Sequence, residues 1–294
     1  MTVLEAIQKS TEFLAKKGVE SARLQAELLL AHLLKMPRMK LYLSFERALA
    51  PAETDALREL IKRRGRREPL QHLTGSVSFC GLEIAVNRQA LVPRPETELL
   101  AEQGWQFLST LNPQPSTALD FGTGTGCLAI ALAVKCPGAK ITAVDVSAEA
   151  LALAGKNAAR HHVTGQIQFL RGDGFAAFST DESFDLIISN PPYIPTAEIA
   201  TLQPEVRDFD PRAALDGGAD GLDFYRKLCV ESKRFLKPEG KIMLEFGDGQ
   251  ADSVRKIFEA EKWIVEAVKE DYSHRERILI ARPGAGFFTA DEHG

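Results

Sequence analysis

From Thr117 onward the chain alternates short apolar runs with helical stretches, and this alternation limits the fold more than any other feature of the sequence. The runs are "TALDFG", "KITAVDVS", "IQFLRGD", "DLIISN" and "GKIMLEFG", and between them lie segments such as "CLAIALAVKC" and "AEALALAGKNAARHH". Continuously apolar strands joined by helices belong to a parallel sheet covered on both faces. After residue 250 come one more helix and two strand-like runs, "WIVEAVKE" and "ERILIARP". The expected class is α/β, with a doubly wound, mostly parallel sheet.

The region ahead of that sheet reads differently. Residues 1–68 are expected to be a small helical bundle. "TVLEAIQKSTEFLAKKG" has apolar residues at helical spacing and Gly18 as its stop; "SARLQAELLLAHLLKM" follows with Ser21 as candidate N-cap; "APAETDALRELIKRRG" has Pro51 near its start. A bundle without a chemical motif is a stability module or a docking surface. Residues 69–92, broken by Gly75 and Gly81, read as a β-hairpin linker. The second domain is expected over 93–283, opening on "PRPETE", where Arg94 sits between two prolines that start a helix. A Pro-rich link at 112–115 separates that helix from the first strand, and residues 284–294 are expected to be a flexible tail.

Composition narrows the classes of function. A net charge of −4 over 294 residues argues against a nucleic-acid partner, which demands a clustered basic surface. The most basic run, "IKRRGRRE" at 61–68, is expected to be a solvated helix end, with a partner-binding patch as the alternative. Cys80, Cys127, Cys136 and Cys229 are scattered without metal-ligand or disulfide spacing, so no metal is expected and the thiols read as buried groups in a reducing cytoplasm. Neither a secretory apolar region nor a membrane-length apolar run is seen, and the expected location is cytoplasmic.

Four constellations on the expected carboxyl edge of the sheet carry chemistry. The first is Gly122-Thr123-Gly124-Thr125-Gly126, between a strand and a helix, the place of a ligand-cradling turn. Cys127 stands where a dinucleotide fingerprint has its third small residue, and a P-loop lysine is absent. A compact adenosine-type cofactor fits better than a pyrophosphate, with a plain tight turn between strand and helix as the alternative. The second is Asp145, at the end of the next strand, placed to accept both hydroxyls of a ribose or, alternatively, to cap the following helix. The third is Asp173-Gly174-Phe175, where the carboxylate could take an adenine amino group and the ring could wall the base, or where an ordinary turn could sit.

The fourth strand then runs into Asn190-Pro191-Pro192-Tyr193. Prolines cannot continue the ladder. They fix the direction of the Asn190 side chain and the Pro191 carbonyl, two oxygen acceptors suited to the two hydrogens of a planar NH₂ group. Tyr193 supplies an aromatic wall. The arrangement suits an amide or aromatic amine substrate whose nitrogen faces an electrophile.

The glycine turn, the strand-end acid and Asn-Pro-Pro-Tyr together resemble a class I S-adenosylmethionine-dependent methyltransferase acting on a planar nitrogen. "LVPRPETE", the helical amino-terminal domain, "LDGGADGLDFYRKL" and "LEFGDGQ" narrow the resemblance to the peptide chain release factor glutamine methyltransferases, the HemK family, over residues 1–282. The resemblance implies a seven-stranded methyltransferase sheet and S-adenosylmethionine bound at the glycine turn and Asp145. It also implies methylation of the side-chain amide of the Gly-Gly-Gln glutamine in class 1 release factors. A ribosomal-protein glutamine, a nucleic-acid exocyclic amine, or a non-catalytic binding role are the alternatives. Two positions depart from the family pattern: His72 stands where a tyrosine is common, and Gly174 where many members carry a bulky aromatic.

Overall fold

The computed structural model describes residues 1–111, 115–178 and 182–284. The expected tail, apart from Gly284, and most of the Pro-rich link lie outside the described residues. The chain divides into two compact units, Met1–Ser76 with Leu202–Phe209, and Val77–Thr201 with Asp210–Gly294.

The first unit is a helical bundle that runs past the expected boundary at residue 68 and takes in Leu202–Phe209. Helix α1 (Val3–Lys16) opens on a capping box in which Glu5 N donates to Thr2 Oγ1 and Thr2 N donates back to the Glu5 carboxylate. Its apolar face, Val3, Ala6, Ile7 and Leu14, packs on Leu29 and Leu30 of α2 (Ala22–Leu33) and on Leu57 and Ile61 of α4 (Pro51–Gly65), with the short α3 (Arg38–Leu41) between them. Gly18 stops α1 at a φ of 71°, as its place in the sequence predicts. Ser21 does not cap α2: its own φ is 48° and its side chain makes no capping bond. The expected linker is partly helical, since α5 (Leu70–Thr74) occupies its first residues. Strands β1 (Ser76–Phe79) and β2 (Leu82–Ala85) then form the hairpin. Cys80 and Gly81 turn it with φ of 51° and 77°, the pair of positive angles that suits the twist of a two-residue hairpin.

The second unit holds α6 (Pro95–Thr110), β3 (Thr117–Phe121), α7 (Cys127–Lys135), β4 (Lys140–Asp145), α8 (Ala148–Arg160), β5 (Ile167–Arg171) and β6 (Phe184–Ser189). Beyond β6 the chain passes through the short α9 (Pro204–Arg207), then α10 (Asp223–Glu231), β7 (Leu236–Glu245), α11 (Ala251–Ala260), β8 (Trp263–Glu270) and β9 (Glu276–Pro283). The seven-stranded sheet runs β5-β4-β3-β6-β7-β9-β8. The first five strands are parallel, and β9 is antiparallel to both its neighbours. Every strand read from the sequence is present. The strand order reverses between β3 and β6, which are neighbours at the sheet centre, and ligands of open α/β sheets bind outside the carboxyl ends of strands at such a point.

Helix α9 belongs to the segment that joins the first unit. There Glu205 is gripped by Arg64 at 2.7 Å and by both Nε and Nη2 of Arg67 at 2.6 Å. The basic run at 61–68 is therefore not a solvated helix end throughout. Arg64 is buried, and Arg63 pairs with Glu68.

Candidate active site

The three carboxyl ends converge because the strands are in register: Phe121 pairs with Val144, and Asp120 pairs with Ile188. Ser189 Oγ donates to Phe121 O at 2.6 Å and stitches the ends of β6 and β3 together. Beneath the glycine turn, fully buried Asp120 accepts from Thr123 Oγ1 at 2.6 Å and from Ala129 N at 3.0 Å. Burial pushes its carboxyl up to about 7, against the pull of those two donors.

Two glycines of the turn have separate reasons to lack a side chain. At Gly122, with φ at 74°, a Cβ would meet nothing within 4 Å, so the backbone is open to close approach from the cavity side. At Gly126, with φ at 82°, a Cβ would lie 2.9 Å from that of Ala154, so the absence of one lets α7 start against α8. Gly126 accordingly does not line the cavity, whereas Gly122, Thr123, Gly124 and Thr125 do.

Asp145 ends β4 on the same rim. Its Oδ2 accepts from Gly124 N and its Oδ1 from Ser147 N, both at 2.9 Å, which fixes the carboxylate and leaves each oxygen a free lone pair. The cap of α8 is Ser147, whose hydroxyl accepts from Ala150 N, so the alternative of Asp145 as N-cap does not hold.

Asp173 and Gly174 also line the cavity. Asp173 is largely exposed and pairs with Lys227 at 2.9 Å. Gly174 has a φ of 62°, and a Cβ there would stand 2.8 Å from the ring of Phe121, so the position has no room for a side chain. The expected role of Phe175 is not met. Its ring is 1% exposed and stacks on Phe235 at 4.9 Å inside the core. The aromatic surface of the cavity comes from Phe121 and from Phe224, the latter in a stretch not read as part of the site.

Asn190, Pro191 and Pro192 line the cavity beside the glycine turn. Asn190 Nδ2 donates to Thr97 Oγ1 at 3.0 Å. Tyr193 does not reach the cavity. Its half-buried ring packs on the core, and burial pushes its hydroxyl up to about 12. The turn is held from behind by Gln250, which donates to Tyr193 O and accepts from Gly247 N, both at 2.9 Å.

Arg94, Thr97, Asp120, Glu245 and Gln250 were not read as parts of the site. Arg94 lines the cavity and donates to buried Asp210 at 2.7 Å. The usable signals were acids inside apolar strands, Asp120 in "TALDF" and Glu245 in "IMLEF". A strand-interior carboxylate is costly unless it holds something.

The cavity has a volume of about 330 Å³ and is lined only by residues of the second unit. Among the described residues no helix is long and apolar enough to cross a membrane.

The sheet order, with a glycine turn after its first strand and an acid ending the second, defines a class I methyltransferase. A methyltransferase from Pyrococcus furiosus shares the fold, with a TM-score of 0.52, 22% identity, and coverage of 76% of this chain and 98% of its own. Residues 5–75 match the PrmC N-terminal domain family and residues 102–203 the methyltransferase small domain family. A release factor glutamine methyltransferase of Geobacter sulfurreducens is 42% identical over 283 residues, 96% of this chain and 97% of its own. One from Chlorobaculum tepidum is 40% identical, over 95% and 96%. The chain belongs to the release factor glutamine methyltransferase family.

Proposed function

We propose that the protein transfers a methyl group from S-adenosylmethionine to the side-chain amide nitrogen of the Gly-Gly-Gln glutamine of class 1 peptide chain release factors. The observation that carries the reading is the direction of Asn190. Asn190 lines the cavity and its Nδ2 donates to Thr97 Oγ1, which supports Oδ1 as the atom offered to the substrate. An acceptor there is what a substrate NH₂ requires and what a substrate carbonyl would reject.

The residues present fit the cofactor. The open backbone at Gly122 gives room for the methionine part, and the fixed carboxylate of Asp145 has lone pairs for two ribose hydroxyls. Its volume lies at the lower end of the range for small-molecule sites. When bound, S-adenosylmethionine supplies an activated methyl group on a sulfonium.

The protein's own part is to orient the nucleophile. An amide nitrogen is weak because its lone pair is delocalised into the carbonyl. Asn190 Oδ1 and Pro191 O would each accept one of its hydrogens, return electron density to nitrogen and orient it toward the methyl group that the cofactor would supply. No strong base is required, since the nitrogen would be cationic and acidic once it carries the methyl group and its proton can pass to water.

The bundle of residues 1–76 with 202–209 contributes nothing to the cavity, and its role in this proposal is to dock the protein substrate. The cytoplasm, where release factors work, is the proposed location. The net charge of −4 supports a protein rather than a nucleic-acid partner. Labelled cofactor offered with a purified release factor, a duplex DNA and a ribosomal RNA fragment tests the reading. Label in the release factor alone is expected; label in a nucleic acid and not in the release factor contradicts it.

A further inference from the structure

A side-chain amide is two-faced. If Asn190 turned over, its NH₂ would meet the NH₂ of the substrate, donor against donor, and the site would repel the group it serves. Its neighbour Thr97 does not by itself fix the direction, because a hydroxyl both donates and accepts. The direction is settled by whatever takes the hydroxyl's own proton.

The buried acid that faces the Thr97 hydroxyl is Glu245. It ends β7 one residue beyond Leu244, the partner of Ser189, and so stands level with Asn190 on the adjacent strand. Glu245 is 2% exposed and Thr97 3%. Burial pushes the Glu245 carboxyl up to about 7, and the Thr97 hydroxyl and Asn190 amide that face it pull it partly back. Its Oε2 makes no hydrogen bond of ordinary geometry, and a buried oxygen in that condition calls for a reason. Its backbone is pinned, since Tyr225 Oη donates to Glu245 O at 2.9 Å. A carboxyl offers an acceptor oxygen to a facing hydroxyl whether ionised or protonated.

We infer that Glu245 and Thr97 are positioning residues: Glu245 takes the Thr97 proton, Thr97 Oγ1 then presents only its lone pairs to Asn190 Nδ2, and Asn190 Oδ1 is held facing the substrate amide. The chain of polarity runs one way, carboxyl to hydroxyl to amide to substrate. The inference rests on the proposed function for its substrate, but the relay itself is a property of this chain.

The relay is tested with Thr97→Val, which keeps the β-branched shape and removes the hydroxyl. Methyl transfer to a purified release factor is measured alongside cofactor affinity and the melting temperature. The expected result is a fall in kcat of roughly tenfold or more, with KM for the release factor and cofactor affinity nearly unchanged. Thr97→Ser is expected to restore most of the loss. Glu245→Gln, which keeps an acceptor oxygen, is expected to lose less than Glu245→Leu. The side-chain NH₂ signal of Asn190, followed by NMR, gives a readout free of any substrate. Its hydrogen exchange is expected to be slow in the wild type and faster in Thr97→Val. Equal kcat in Thr97→Val and wild type, equal losses in Thr97→Ser and Thr97→Val, or an Asn190 signal that exchanges alike in both proteins would overturn the relay. A wild-type enzyme that methylates no release factor while the exchange difference persists would overturn the proposed substrate and leave the relay standing.

Discussion

At the scale of single residues, the site is a set of groups whose freedom has been removed. Asp145 has its two oxygens held by Gly124 N and Ser147 N, which fixes the orientation of the carboxylate. Asp145→Ala is expected to weaken cofactor binding by about 1–3 kcal/mol, the cost of leaving polar partners without an acceptor. Calorimetry checks it, and unchanged affinity removes Asp145 from the site. Glu245 gives a pH signature. Its folded carboxyl is raised from 4.5 to about 7 by burial. A raised acid favours the folded state while protonated, so its contribution is fully present below the ordinary carboxylate range and is lost as pH rises through about 7. Glu245→Gln is neutral at every pH. Relative to the wild type it should gain stability, on the order of 3 kcal/mol, as pH rises from about 4.5 to about 8. Urea unfolding at both ends of that window measures it; a difference independent of pH would mean that the carboxyl is not held protonated. Asp120 shares this behaviour, so the comparison is made between variant and wild type and not between two pH values of one protein.

At the scale of elements, the sheet was open to reading because its inner parallel strands β3, β4 and β6 are buried along most of their length and read as apolar runs. The glycine turn, Asp145 and Asn190 were legible for the same reason, since they sit where such strands end. What escaped had a physical cause in each case. Phe175 looked like a base wall but follows a glycine at positive φ that turns its ring into the core. Tyr193 looked like a catalytic wall, but Gln250 draws its backbone toward the end of β7. Thr97 and Glu245 meet Asn190 from elements far away in sequence, and no local pattern announces such a meeting. The run at 61–68 misled because the acid that pairs with it, Glu205, lies near residue 200. Glu205→Ala would leave Arg64 buried and uncompensated, at a cost of about 3 kcal/mol. Chemical denaturation measures this, and a loss under about half of one kcal/mol would mean that the pair contributes nothing.

At the scale of the whole molecule, the chain divides its labour between a unit that holds the cavity and a bundle that contributes nothing to it. If the bundle docks the release factor, a charge placed on its outside should act on recognition and not on chemistry. Met39 and Leu43 stand there 66% and 88% exposed. Leu43→Glu is expected to raise KM for an intact release factor several-fold while methylation of a short Gly-Gly-Gln peptide is unaffected; equal effects on both substrates would argue against docking. The central claim is that Asn190 orients a glutamine amide for methylation. Its most direct test is mass spectrometry of the Gly-Gly-Gln peptide after incubation of the release factor with S-adenosylmethionine and either wild-type or Asn190→Ala enzyme. The account predicts a methyl group on the glutamine side chain with the wild type. With the variant, turnover should fall by roughly 10²-fold, as for loss of one electrostatic contact at a reacting centre, with cofactor affinity and stability nearly kept. Methylation by Asn190→Ala at the wild-type rate, or a methyl group on any residue other than that glutamine, would contradict it.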